Sequence, residues 1–194
     1  MINLRILLCV LLIFVGSLGV SQESYSIGEI SIWITGTSTL HDWNVTAEDV
    51  SNYPDQLSIT DAESIEIKDF SFQVAVESMD GGRGTTMNKK IYTALKSEAH
   101  PYVVFDHSGP SSLSKSSDNE LNGQAQGVIN IGGFENEVVV DIKGMIDESS
   151  IKFKGEVPLK LSQFAIDPPS AMFGQIQTKD DITVHFEISY NRDK

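Results

Sequence analysis

The sequence predicts an all-β chain: an antiparallel, eight-stranded β-barrel with one short helix. Three observations carry that prediction. Apolar and polar residues alternate with a period of two through most of the 194 residues, as in strands whose two faces meet different surroundings. Turn residues punctuate the pattern at short intervals, and no internal repeat is visible. Only one segment carries a helical period instead. Long alternating strands joined by short turns favour closure, which removes the sheet edges a soluble protein must otherwise protect. A two-sheet sandwich is the alternative that the pattern leaves open.

The first strand runs from about Ser26 to Leu40, where Ile30, Ile32 and Ile34 alternate with Ser31, Trp33 and Thr35. Trp43, Val45 and Ala47 resume the alternation beyond His41-Asp42, so a bend or second strand begins there. Tyr53 to Asp61, with Pro54, reads as a loop, and Ile65, Ile67, Phe70, Phe72, Val74 and Val76 as one long strand or two bulged ones. Gly81-Gly82-Arg83-Gly84 then breaks the pattern. Met87, Ile91 and Leu95 recur at every fourth position and place one apolar stripe on a helix over about Asn88 to Glu98. Thr85 or Thr86 is the expected cap and Pro101 the stop. Tyr102 to His107 is a strand, Ser108 to Asn119 a serine-rich polar loop, and Leu121 to Ile131 a further strand. Gly132-Gly133 leads into Phe134 to Gly144, and Ile151 to Leu161 alternates again. Ser162 to Asp180 is a long loop, and Ile182, Val184, Phe186 and Ile188 make the last strand.

The N-terminus predicts export. Arg5 supplies one positive charge, and Ile6 to Val15 is an apolar run of about ten residues, the length of a signal-peptide core. Gly19-Val20-Ser21 offers small residues for cleavage, which leaves residues 22–194 as one domain beginning at Gln22 in the periplasm or medium. A retained anchor is the competing reading, but the run falls short of the ~20 residues that a span needs. The only cysteine, Cys9, lies inside the apolar run. Residues 22–194 can therefore form no disulfide, and their stability has to come from a core.

The formal charge is −13, and removal of Arg5 with the signal makes it −14. Such a balance disfavours nucleic acid and anionic membrane surfaces, because phosphate binding relies on Lys and Arg. The four histidines, His41, His100, His107 and His185, show no metal-ligand spacing. His41-Asp42 has the composition of a base and its orienting acid, yet adjacent strand residues point to opposite faces. A histidine bonded to backbone at a bend is the plainer reading. Nucleophile elbow, P-loop and dinucleotide motifs do not occur, so no enzyme activity and no cofactor are expected. A small barrel either fills with side chains or holds one ligand. Met87 on the helix, with Met172 and Phe173 in the long loop, are adaptable or large apolar residues where a mouth could be covered.

Five segments in order resemble the YceI-like family. They are Ser38-Thr39-Leu40-His41-Asp42-Trp43, Met87-Asn88-Lys89-Lys90-Ile91-Tyr92 with Ala94-Leu95-Lys96, and Pro101-Tyr102-Val103-Val104-Phe105. Gly132-Gly133 and Phe164-Ala165-Ile166-Asp167-Pro168-Pro169 with Met172-Phe173-Gly174 complete the set, which spans Tyr25 to Tyr190. The resemblance implies a lipocalin-like barrel around an elongated apolar pore that binds a long lipid, of polyisoprenoid or isoprenoid quinone type. The candidate ligand-binding residues are His41, Trp43, Arg83, Met87, Ile91, Phe105, Met172 and Phe173. Arg83, set among glycines that can bring N–H groups to an anion, is the expected partner of a phosphate head; a neutral head is the favoured alternative. A secreted interaction module with a filled barrel and no small ligand is the competing function.

Overall fold

The computed structural model describes residues 23–193, apart from 54–55, 60–63, 68–69, 109–110, 118 and 172. The segment read as a signal peptide lies outside the described residues. Among the described residues there are fourteen strands, every pair antiparallel. Most of them merge into eight staves. The first is β1 (Glu23–Ser38); the second carries β2 (Asp42–Ala47), β3 (Val50–Tyr53) and β4 (Gln56–Ile59). The third carries β5 (Ser64–Ile67) and β6 (Ser71–Ala75), followed by the bridge β7 (Met79–Asp80) and helix α1 (Thr85–Ala94). The fourth carries β8 (Tyr102–His107) and β9 (Ser111–Lys115). The last four are β10 (Glu120–Ile131), β11 (Phe134–Ile146), β12 (Ser150–Lys160) and β14 (Ile176–Arg192), with the bridge β13 (Ser170–Ala171) before β14.

Each stave pairs with the next, and β14 returns to β1 in a register that sets Ile32 opposite Phe186. Closure rests on the second stave. Its ends, β2 and β4, pair with the two ends of β1, while β3 between them pairs with β6. A bulge in β1 between Ile27 and Ile30 marks the place where β3 leaves it. The result is the antiparallel eight-staved barrel with one helix, not a sandwich.

Three segments read as loops contain strands, and the third, Ser162 to Asp180, holds β13 and the start of β14. Within Tyr53 to Asp61, β4 pairs with Glu23 to Ser26. Within Ser108 to Asn119, β9 lies between β5 and β10. Ser111 and Leu113 of β9 are almost wholly buried, at 2% and 1% exposure. The Ser111 hydroxyl lies 2.7 Å from Nε2 of His107, which satisfies it inside the barrel.

The helix begins three residues before the expected Asn88, because Gly84 at φ +80° is its N-cap and receives the first turn's N–H groups from Met87 and Asn88. Neither Thr85 nor Thr86 caps it. It stops at Ala94, well before Pro101. Lys96 adopts a left-handed conformation at φ +58°, and its N–H bonds Thr93 O while the Ser97 N–H bonds Tyr92 O. That double bond is a Schellman closure with lysine in the place usually taken by glycine.

The barrel has two unlike ends. The end where β1 begins and β14 finishes is filled: Tyr25, Ile65, Leu113, Leu121 and Ile151 are all 3% exposed or less. The opposite end gathers the β1–β2 turn, α1, the β10–β11 turn and the segment from Leu161 to Gln175.

Candidate functional site

Between the filled end and α1 the barrel encloses an apolar cavity of about 250 Å³. The volume is roughly twentyfold the ~10–15 Å³ that holds one water. Its described lining contains no carboxylate, amine or imidazole, and its polar-capable side chains are Trp43, Thr178 and Tyr190. The Trp43 indole N–H already donates to the Thr37 carbonyl at 3.0 Å. The Tyr190 hydroxyl accepts from Asn52 Nδ2 at 3.2 Å. Little polarity is therefore left to face the lumen. A cavity of this kind stays dry and has affinity for hydrocarbon.

Four of the sequence candidates line the cavity: Trp43, Met87, Ile91 and Phe105. Met87 and Ile91 come from the apolar stripe of α1, together with Leu95 one turn on, so the stripe closes the cavity's upper wall. All three are only half-buried, as expected of a wall with empty space beneath it. Trp43 and Phe105 lie flat against neighbouring strands, because glycine leaves room for each ring. A Cβ at Gly36, opposite Trp43 in the sheet, would lie 2.7 Å from indole Cε2. A Cβ at Gly127 would lie 2.5 Å from Phe105 Cε2. Real Cβ atoms do not approach that closely, so both positions depend on glycine.

His41, Arg83 and Phe173 lie outside the lining. His41 Nδ1 donates to the backbone carbonyl of Asp42 at 2.8 Å, the backbone-bonded histidine at a bend. The carbonyl can only accept, so Nδ1 carries a proton and is engaged. Arg83 is exposed in the turn before α1. That turn is a poorer anion cradle than its glycines suggest. The Gly82 N–H is taken by the Asp80 carboxylate at 2.9 Å, and the Gly81 N–H by Asn88 Oδ1 at 3.0 Å. Phe173 does not cover the cavity: it sits at φ +55° in the turn between β13 and β14, with its side chain fully exposed. The hairpin's register fixes this, since Ser170 pairs with Gln177 and Ala171 with Ile176, leaving Phe173 at the tip. Met172 lies outside the described residues.

Other wall residues escaped the sequence reading as ligand contacts, although each sits at an inward position of an alternating strand. Val138, Val140 and Ile142 of β11 and Ile182, Val184, Phe186 and Ile188 of β14 all line the cavity. Alternation identified their face; it could not separate a lumen from a packed core. Among the described residues no cluster of His, Cys, Asp and Glu could hold a metal ion. No helix among them is long and apolar enough to cross a membrane.

Comparison with solved structures finds the same fold at low sequence identity. BcnA of Burkholderia cenocepacia aligns with a TM-score of 0.64 at 15% identity, covering 82% of this chain and 95% of that one. A polyisoprenoid binding domain from Saccharophagus degradans, implicated in plant cell wall breakdown, aligns at 0.59 and 9% identity, covering 88% and 98%. The YCEI protein of Campylobacter jejuni aligns at 0.58 and 19% identity, covering 77% and 85%. Comparison with curated protein sequences finds no match. The family model of the YceI-like domain matches residues 24–190, nearly the whole described barrel, and the chain belongs to that family.

Proposed function

We propose that this protein is an exported carrier that holds a long apolar lipid, of polyisoprenoid or isoprenoid quinone type, inside its barrel. The observation that carries the reading is the cavity itself: an apolar lumen walled by aliphatic and aromatic side chains, plugged at one end and walled by half-buried residues at the other. Leaving such a volume empty sacrifices the packing contacts that would otherwise stabilise the core. A hydrocarbon chain restores them, and each buried CH₂ contributes about 0.8 kcal/mol. The plug dictates the ligand's direction. An apolar tail enters toward Phe153 and Tyr190, and the head group stays near Trp43, Thr178 and α1. Family membership and the likeness to a polyisoprenoid binding domain support the same ligand class. The lack of charge in the described wall argues against catalysis within the cavity, and the N-terminal apolar run supports a location in the periplasm or medium.

The test is native mass spectrometry of the protein purified from its own envelope, followed by organic extraction. A bound mass that extraction releases as lipid supports the reading, and calorimetry with prenyl alcohols of increasing length should show affinity rising step by step. A ligand-free protein that also binds no prenyl alcohol would leave the interaction-module reading in its place.

A further inference from the structure

The rim around α1 combines features that the cavity does not use. Leu40, in the β1–β2 turn, is 66% exposed, and Phe173, at the tip of the β13–β14 turn, is completely exposed. The two turns are tied together. The Thr39 N–H donates to Gln177 O at 3.0 Å, and the Thr39 hydroxyl donates to Gln175 O at 3.2 Å. Helix α1 joins them through Lys90, whose amine donates to Ser170 O at 3.2 Å. Phe173 is costly on two counts, a large apolar ring in water and a left-handed backbone that non-glycine residues avoid.

The charge of this rim departs from that of the molecule. The chain is −13, yet the segment from Asp80 to Glu98 is +2: Arg83, Lys89, Lys90 and Lys96 stand between the two flanking acids. Lys96 sits over the Phe134 ring at 4.6 Å and Lys90 is bonded to Ser170, while Arg83 and Lys89 are exposed. Asp80 holds the Gly82 N–H beside Arg83, and Asp42 and Asp167 stand on the two neighbouring turns, so the cations are concentrated on the helix segment rather than spread round the rim. At physiological salt the Debye length is about 8 Å. Acids elsewhere on the barrel are screened from a surface touching this end, and the helix cations act locally. Apolar side chains beside exposed cations form the pattern that seats a protein at an anionic lipid interface.

We propose that the α1 end docks on an anionic bilayer, with Leu40 and Phe173 entering the headgroup layer and Arg83 and Lys89 meeting lipid phosphates. This rests on the lipid-carrier reading and adds its partner: cargo passes between bilayer and cavity at the rim, without crossing water. The surface is continuous with the mouth, since α1 supplies both the cations and the upper wall of the cavity.

Vesicle flotation of the chain from Gln22 onward tests it, with phosphatidylcholine alone or with about one quarter phosphatidylglycerol. Wild type should float with the mixed vesicles and less so at about 0.5 M salt. Leu40→Ser with Phe173→Ser should reduce the floated fraction several-fold on both compositions. Arg83→Glu with Lys89→Glu should reduce it on the mixed vesicles alone. Binding of a prenyl alcohol in solution should be unchanged by Leu40→Ser and Phe173→Ser, which shows that those variants remain folded. Wild type that ignores both vesicles, or flotation untouched by the apolar substitutions, overturns the docking surface while the carrier reading stands. Intact, substitution-sensitive flotation by a protein that binds no prenyl alcohol removes the carrier reading and keeps the docking surface.

Discussion

The Trp43 indole lies across the face of Gly36, its partner on the neighbouring strand, and its N–H is fixed on the Thr37 carbonyl. The ring thereby forms part of the cavity wall instead of filling the lumen. Gly36 is therefore a determinant of the cavity although it has no side chain.

Gly36→Ala should displace the indole inward. Overpacking of this kind costs about 1–3 kcal/mol, measurable as a lower urea midpoint with the slope unchanged. Tryptophan emission should shift at the same time, and prenyl alcohol affinity should fall because the ring then occupies the lumen. Unaltered stability and emission would mean that the contact is slack.

Much of the architecture was legible because the physics that sets it is local. Ile30, Ile32 and Ile34 alternate, and so do Ile182, Val184, Phe186 and Ile188; the two runs became β1 and β14, which pair. Met87, Ile91 and Leu95 marked the one helix and the face it turns to the barrel. What escaped was non-local. β9 reads Ser-Ser-Leu-Ser-Lys, a composition of loops, and is a strand because β5 and β10 offer it edges on both sides. The pairing of Gly36 with Trp43 and the approach of Phe105 to Gly127 depend on register across strands, which no single window contains. Phe173 resembled a cavity residue by type, and its place in the four-residue loop between Ala171 and Ile176 put it outside.

Filling the lumen from a strand should separate binding from folding. Val138 is a half-buried wall residue of β11, and Val138→Trp places a large ring in the cavity. Affinity for a long prenyl alcohol should drop by at least roughly tenfold, about 1.4 kcal/mol. Far-ultraviolet circular dichroism should retain the β signal. Undiminished binding would place the ligand somewhere other than the barrel interior.

Asp147 carries the clearest pH dependence. In the β11–β12 turn its carboxylate accepts from the N–H groups and hydroxyls of Ser149 and Ser150, at 2.7 to 2.9 Å. These bonds, led by the Ser149 N–H, hold its pKa down to about 2 from 3.8. A depressed folded-state pKa stabilises above the unfolded value, and the contribution disappears as pH falls through the folded value. Wild type should therefore exceed Asp147→Asn in urea stability at neutral pH, and the gap should close between about pH 4 and about pH 2. A gap independent of pH would assign the difference to the amide's geometry instead of to charge.

For the proposed lipid, the choice of head group is tested at the turn before α1. A pyrophosphate needs cations and unoccupied N–H donors at the mouth. Arg83 is present and exposed, but the N–H groups of Gly81 and Gly82 are already bonded to Asn88 and Asp80. The Asp80 carboxylate, bonded to the Gly82 N–H, repels an anion brought onto the backbone of this turn. A neutral alcohol or quinone near Trp43 and Thr178 of the cavity wall would incur none of these costs. A prenyl alcohol and its pyrophosphate of equal chain length should therefore bind with similar affinity, and Arg83→Ala should leave both unchanged in solution. The comparison belongs at low and at moderate salt, because a real contribution from Arg83 would be largest at low salt. Tighter binding of the pyrophosphate that is abolished by Arg83→Ala would show that the turn opens, releases its N–H groups from Asp80 and Asn88, and closes on the phosphate.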